Sequence, residues 1–128
     1  MSEGSYYSAE VRRLFAAPPR CGALPPGPGT PCRGEAEALD RGAWVRLEAR
    51  LQDGIVADAR FRAWGCPHLI AACALVTERL VGQPAPGAFR LDPAGLAREL
   101  EVPTAKLGRL LVLEDALSGL AAGLAPAQ

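Results

Sequence analysis

The clearest signal along this chain is a period of two. In AWVRLEARL (residues 43–51), Val45, Leu47, Ala49 and Leu51 alternate with Arg46, Glu48 and Arg50, the spacing of a strand with one face buried. IVADARFRAW (55–64) repeats it, with Ile55, Ala57, Ala59, Phe61 and Ala63 opposing Val56, Asp58, Arg60, Arg62 and Trp64. Between them QDG (52–54) is a tight-turn signal. GEAEAL (34–39), closed by the turn DRG (40–42), adds a shorter edge strand. The three strands predict an antiparallel meander with one apolar face to cover.

Helical spacing takes over on either side. Ser8 is placed to cap a short helix through Val11, Leu14 and Phe15, which Pro18 stops. Pro67 suits a first helical position, which makes Cys66 the N-cap of a helix running to about Val81. Asp92-Pro93 opens another over AGLAREL. From about Thr104, KLGRLLVLEDALSGLAAGL brings Leu107, Leu110, Leu111, Leu117 and Leu120 near one face. Residues 17–32, APPRCGALPPGPGTPC, break every period and predict an irregular Pro/Gly-rich loop. Strands followed by helices read as α+β, a small three-stranded antiparallel sheet with helices packed mainly on one face. We expect one domain over 1–128, with 123–128 a disordered tail.

Composition narrows the function more than the fold. Fourteen basic residues balance fourteen acidic ones, which removes the electrostatic case for a nucleic-acid or anionic-membrane partner. No stretch approaches the ~20 apolar residues that span a bilayer. MSEGSYYSAEVRRLF has no apolar signal core, so a cytoplasmic location is expected. The four cysteines, at 21, 32, 66 and 73, form no C-x-x-C pair and are expected to be free thiols.

Cys66 is the candidate for chemistry. A thiol at a helix N-terminus sits near exposed N–H groups and the positive end of the macrodipole, which favours thiolate. The alternative is a small buried hydrophobe. Cys73 lies at helical spacing with Leu69, Ile70 and Leu80 and reads as core, while Cys21 and Cys32 flank the Pro-rich loop and read as exposed or incidental thiols. His68, the only histidine, either ligates a metal beside Cys66 or faces solvent, and solvent is the expectation. Cys32, Cys66 and His68 with a carboxylate supply enough N/S ligands for a metal, although their spacing does not announce a site. Arg46, Arg50, Arg60 and Arg62 alternate with apolar residues and predict a solvated sheet face without aromatic interleaving.

The order of these features resembles a known family. PPRCG (18–22), a meander, DGIVADARFRAWGC, LVTERLVGQ and LARELEVPTAKLGRLLVLEDAL (96–117) together resemble the IscU/NifU-type iron–sulfur cluster assembly scaffolds over roughly residues 6–122. The resemblance implies a SufE/NifU-like fold. It also implies a cluster or zinc held by a Cys-Gly-Asp turn, a Gly-Cys cysteine and a late His-Cys pair. Only the Gly-Cys cysteine is present, as Cys66. Arg41-Gly42-Ala43 stands at the Cys-Gly-Asp turn, so Arg41 and Ala43 replace its Cys and Asp. Gly108-Arg109 stands at the His-Cys pair, and the chaperone-recognition segment is only echoed by residues 102–106.

A [2Fe–2S] centre needs about four protein ligands, mostly thiolates. The family resemblance therefore implies an iron–sulfur cluster assembly protein, a divergent scaffold or iron-binding protein and not an enzyme, using Cys66 with Cys32 and His68 as candidate substitutes. One alternative is a metal-free, SufE-like sulfur acceptor carrying a persulfide on Cys66. Another is a paralogue acting only through protein binding. The cargo would be an iron–sulfur cluster, iron or zinc, or no metal at all. The expected partners are a cysteine desulfurase, a chaperone and apo-protein clients.

Overall fold

Each strand begins or ends where a turn residue dictates. A computed structural model describes residues 7–123. Among them β1 (Thr30–Ala38), β2 (Ala43–Gln52) and β3 (Ile55–Trp64) form one antiparallel sheet in the order β1-β2-β3. Asp53 and Gly54 make the two-residue turn between β2 and β3, both at positive φ (55° and 76°), as a tight hairpin requires. Leu39–Arg41 form a single 3-10 turn between β1 and β2.

Two features of the sheet depart from the alternation in the sequence. β1 starts inside the Pro-rich segment at Thr30 instead of at Gly34. It is an edge strand, where Pro31 costs no ladder bond that a neighbour needs. In β3 the pairing shifts between Arg50↔Asp58 and Leu51↔Val56, so Ala57 is an extra, bulged residue. The bulge reverses the phase: Val56 is buried and Ile55 is exposed, while Ala59 and Phe61 keep the expected inward face.

The helices cover that inward face. They are α1 (Ala9–Ala16), α2 (Pro67–Leu80), α3 (Pro93–Leu100) and α4 (Leu107–Gly123). Ser8 Oγ accepts the Val11 N–H (3.1 Å), capping α1, and donates to the last-turn carbonyl of α3 at Leu100 (3.0 Å). α2 packs on β3 and α1, and α4 packs on β1 and β2. Val45, Leu47, Phe61, Leu69, Leu110, Leu113 and Leu117 meet between the layers. None of these helices is long and apolar enough to cross a membrane. The expected disordered tail lies outside the described residues apart from Gly123, which ends α4.

The opposite face of the sheet is only partly solvated. Asp58 accepts from Arg20 (2.7 Å) and Arg60 (3.2 Å) and lies 3.6 Å from Arg50, so Arg50 and Arg60 are ion-paired instead of free. Burial acts to raise the Asp58 carboxyl pKa. The Arg60 and Ala59 hydrogen bonds and the Arg60 and Arg20 charges outweigh it and hold the carboxyl below its usual range. Arg50 also donates to Pro25 O (2.5 Å), and Gly22 N–H donates to Phe61 O (2.8 Å), so the Pro/Gly-rich segment is tied to the sheet. Two aromatics stand on this face after all. Trp44 and Trp64 are register partners, and the Arg46 guanidinium lies 5.5 Å from the Trp44 ring centroid.

One contact sets the distance between layers. At Gly34 the backbone of β1 rests on the backbone of α4, and a Cβ there would collide with Ala116 O and come within 2.7 Å of Leu120 N. Neither neighbour is a side chain that can swing away. Gly34→Ala is expected to cost about 3 kcal/mol by overpacking. Gly87→Ala, where a Cβ meets nothing closer than 4.0 Å, should stay within about 0.5 kcal/mol of wild type. Urea denaturation of the two variants measures the difference.

Candidate functional site

Cys66 occupies the N-cap of α2 in extended conformation (φ −74°, ψ 163°), and its carbonyl accepts the N–H groups of Leu69 (3.0 Å) and Ile70 (3.2 Å). Its sulfur caps no N–H and is half-buried, and Pro67 contributes no donor to the first turn. Gly65 turns the chain from β3 into α2 at φ 153°, a conformation side chains rarely adopt. A Cβ at Gly65 would come within 2.8 Å of Leu69 Cδ2 and 3.4 Å of Gly42 O, so the turn before β2 lies against the Gly65-Cys66 turn.

The start of α4 closes the same end of the molecule. Gly108 lies directly under the Arg41 guanidinium, which a Cβ at that position would overlap. Arg109, one residue on, and Lys106, in the 3-10 turn Thr104–Lys106 before α4, place their charges near His68. The segments around 41–43, 65–68 and 106–109 therefore converge. Ala43 is the exception in this group, fully buried at the start of β2 as a core methyl.

His68 does not face solvent. It is 3% exposed, its ring centroid lies 4.8 Å from that of Tyr7, and neither ring nitrogen has a hydrogen-bond partner among the described residues. A position in the first turn of α2 looks peripheral in sequence, but Tyr7 and the α4 entry cover it. Arg109 Nε is buried without a partner among the described residues as well. Burial first, then the Lys106 and Arg109 charges, push the His68 pKa below its usual value, so the ring is neutral near pH 7.

The remaining cysteines stand apart from this end. Cys32 is not an exposed loop thiol: it lies on the inward face of β1 opposite Ala49, 8% exposed, and burial pushes its thiol pKa up. Six strand positions separate Ala49 from Ala43, roughly 20 Å at strand rise, so Cys32 is not assembled with Cys66 and His68. Cys73 is fully buried in α2 and its thiol is pushed up by burial, as a core cysteine should be. Cys21 is exposed and bridges to Phe61 beside β3. Among the described residues no three His, Cys, Asp or Glu side chains are grouped to hold a metal ion.

The residue that sequence reasoning overlooked is Lys106, whose only signal was its place just before α4. With Arg41 and Arg109 it supplies positive charge where the site meets solvent. A divalent cation is opposed by them.

Fold and site together define a small α+β protein built around one accessible thiol at a helix start. The chain belongs to the NifU-like N terminal domain family, which it matches over residues 6–122. It is similar to the iron–sulfur cluster assembly scaffold protein IscU of Haemophilus influenzae, 30% identical over 112 residues, covering 87% of this chain and 89% of that one. It is also similar to IscU of Escherichia coli K12, 36% identical over 74 residues, 57% of this chain. The match spans 58% of the E. coli relative's length.

Solved structures show the same fold. A candidate iron–sulfur cluster assembly scaffold of the SUF system from Fervidobacterium islandicum AW-1 superimposes with a TM-score of 0.71 at 15% identity, covering 91% of this chain and 97% of that one. The N-terminal part of a NifU-like protein from Brucella abortus superimposes with a TM-score of 0.55 at 14% identity, covering 91% and 90%.

Neutral His68 makes stability depend on acid. Its folded pKa is depressed, so the unfolded chain binds the proton first as pH falls below about 6.5. Stability is complete above that pH and falls by about 1.4 kcal/mol per unit until the folded ring also protonates. His68→Leu should flatten this acid limb just below about pH 6.5, above the range where carboxylates contribute. Thermal melts of both proteins at stepped pH test it.

Proposed function

We propose that this protein works in iron–sulfur cluster assembly by accepting sulfur from a cysteine desulfurase as a persulfide on Cys66 and passing it on. The observation that carries this is the half-buried Cys66 sulfur at the uncapped start of α2, at the end of the molecule where Arg41 covers Gly108 and Arg109 stands near His68. In the transfer, the Cys66 thiolate attacks the outer sulfur of the donor persulfide. A new S–S bond forms on Cys66, the donor's S–S bond breaks, and the donor cysteine leaves as thiolate, with no net change in oxidation state. The family and its IscU relatives support the process, and the cationic surroundings support sulfur in anionic form over a bound cation.

A second function keeps the scaffold role and places iron or zinc on Cys66. It is favoured by His68, whose two ring nitrogens are unpartnered, and it would need further ligands from a partner or client. A purely protein-binding paralogue has less support, because Cys66 is not sealed in the core.

Anaerobic incubation with a cysteine desulfurase and cysteine, followed by iron, separates these. The proposal expects a one-sulfur adduct on intact protein by mass spectrometry, absent in Cys66→Ser, and no visible cluster absorbance before a client is added. Cluster absorbance without a client would favour the scaffold role. Neither adduct nor absorbance in the wild type would contradict both.

A further inference from the structure

A cavity of about 500 Å³ opens between the C-terminal half of α2, the 83–92 segment and α3. That volume falls within the roughly 300–1,000 Å³ of small-molecule sites. Roughly 20 Å of helix rise separates its Leu80 wall from the Pro67 end of α2, where Cys66 lies. The floor is apolar and buried: Val76 and Leu80, one turn apart on α2, face Leu96 on α3. Half-buried Leu91 extends it along the 83–92 segment.

The rim is charged, and its pairing is incomplete. Arg79 donates to Glu99 (2.9 Å) and ties α2 to α3, so these two charges cancel. Asp92 Oδ2 and Arg98 Nη2 both lie where a Cβ on Gly95 would meet them, so Asp92 has a cation beside it. Arg90 is exposed at the rim with no ion-pair or hydrogen-bond partner among the described residues. Glu114 lines a smaller cavity that shares Arg90 and makes no ion pair with it. An apolar floor therefore meets one uncompensated positive charge.

We propose that this cavity binds a small amphiphilic carboxylate, with its apolar body on Val76, Leu80 and Leu96 and its carboxylate on the Arg90 guanidinium. Charge and shape together decide the class. A neutral apolar molecule would leave Arg90 unused, and a cation would meet Arg79, Arg90 and Arg98 around the mouth. A carboxylate suits the planar fork of a guanidinium, which holds both its oxygens. Val76 and Leu80 lie on one face of α2, so an aliphatic chain or a single ring can rest along them against Leu96. The site is independent of Cys66 and of the sulfur chemistry proposed there, and either proposal can fail without the other.

Displacement of the fluorescent probe anilinonaphthalene sulfonate from the whole chain, at constant ionic strength, tests this. Octanoate is expected to displace the probe stoichiometrically, and octanol and octylammonium about tenfold less well or worse. Hexanoate should be weaker than octanoate by up to about fourfold per CH₂ lost. Arg90→Gln should bring octanoate down to the level of octanol and leave octanol unchanged, a split that a merely structural loss would not give. Ala88→Trp, which fills the cavity from the 83–92 segment, should abolish probe and octanoate binding together. Arg33→Gln, which removes one exposed positive charge on β1, should change neither. Melting curves confirm that each variant is folded, and the exposed Arg90→Gln still decides the matter if Ala88→Trp unfolds the protein. No saturable probe binding, equal displacement by the three octyl compounds, or octanoate affinity untouched by Arg90→Gln overturns the proposal. Sedimentation that shows a dimer excluding the probe would put a second copy of this chain in the groove and overturn it too.

Discussion

The backbone of α4 rests on the backbone of β1, and Gly34 is what permits it. Ala116, Gly119 and Leu120 meet β1 at Gly34, while Gly123 meets Cys32 and Arg33. The helix therefore runs antiparallel to β1, and its N-terminus points to the end of the sheet where β1 turns into β2. From that docking the site follows. Gly108 comes under Arg41 and Arg109 comes near His68, at the end of the sheet where the Gly42 carbonyl lies against the Gly65-Cys66 turn that β3 delivers. A side chain at residue 34 would shift the helix and with it half of the thiol's surroundings.

How much of this was legible depended on how local the cause was. The β2–β3 hairpin could be read because alternation, Asp53-Gly54 and burial all agree within twenty residues. Cys66 as N-cap and Pro67 as first helical residue were legible for the same reason. The bulge at Ala57 was not, since a sequence that alternates perfectly gives no sign of an extra residue. The early start of β1 was hidden by prolines that only an edge strand accommodates.

The site was harder to read than the fold. His68 looked like a solvent-facing residue because nothing within its own helix buries it. Its cover comes from Tyr7 and from the α4 entry, sixty residues before and about forty after it in the chain. Cys32 failed as a ligand for an equally simple reason. A two-residue periodicity places it on the inward face, and its register partner Ala49 sets it far along the sheet from Cys66. Nearness to a missing ligand position in sequence was no guide to nearness in space.

What replaces the missing ligands is charge of the opposite sign to theirs. Arg41 and Arg109 stand where the family resemblance implies cysteines, and the first of them packs on Gly108 so closely that the two positions have become one contact. Such an exchange disfavours a resident cation at that end of the molecule. The most direct measurement is zinc affinity at neutral pH, by competition against a chromophoric chelator under reducing conditions. Binding no tighter than a Kd of about a micromolar is expected. A stoichiometric site with nanomolar Kd, abolished by Cys66→Ser and by His68→Leu, would contradict it.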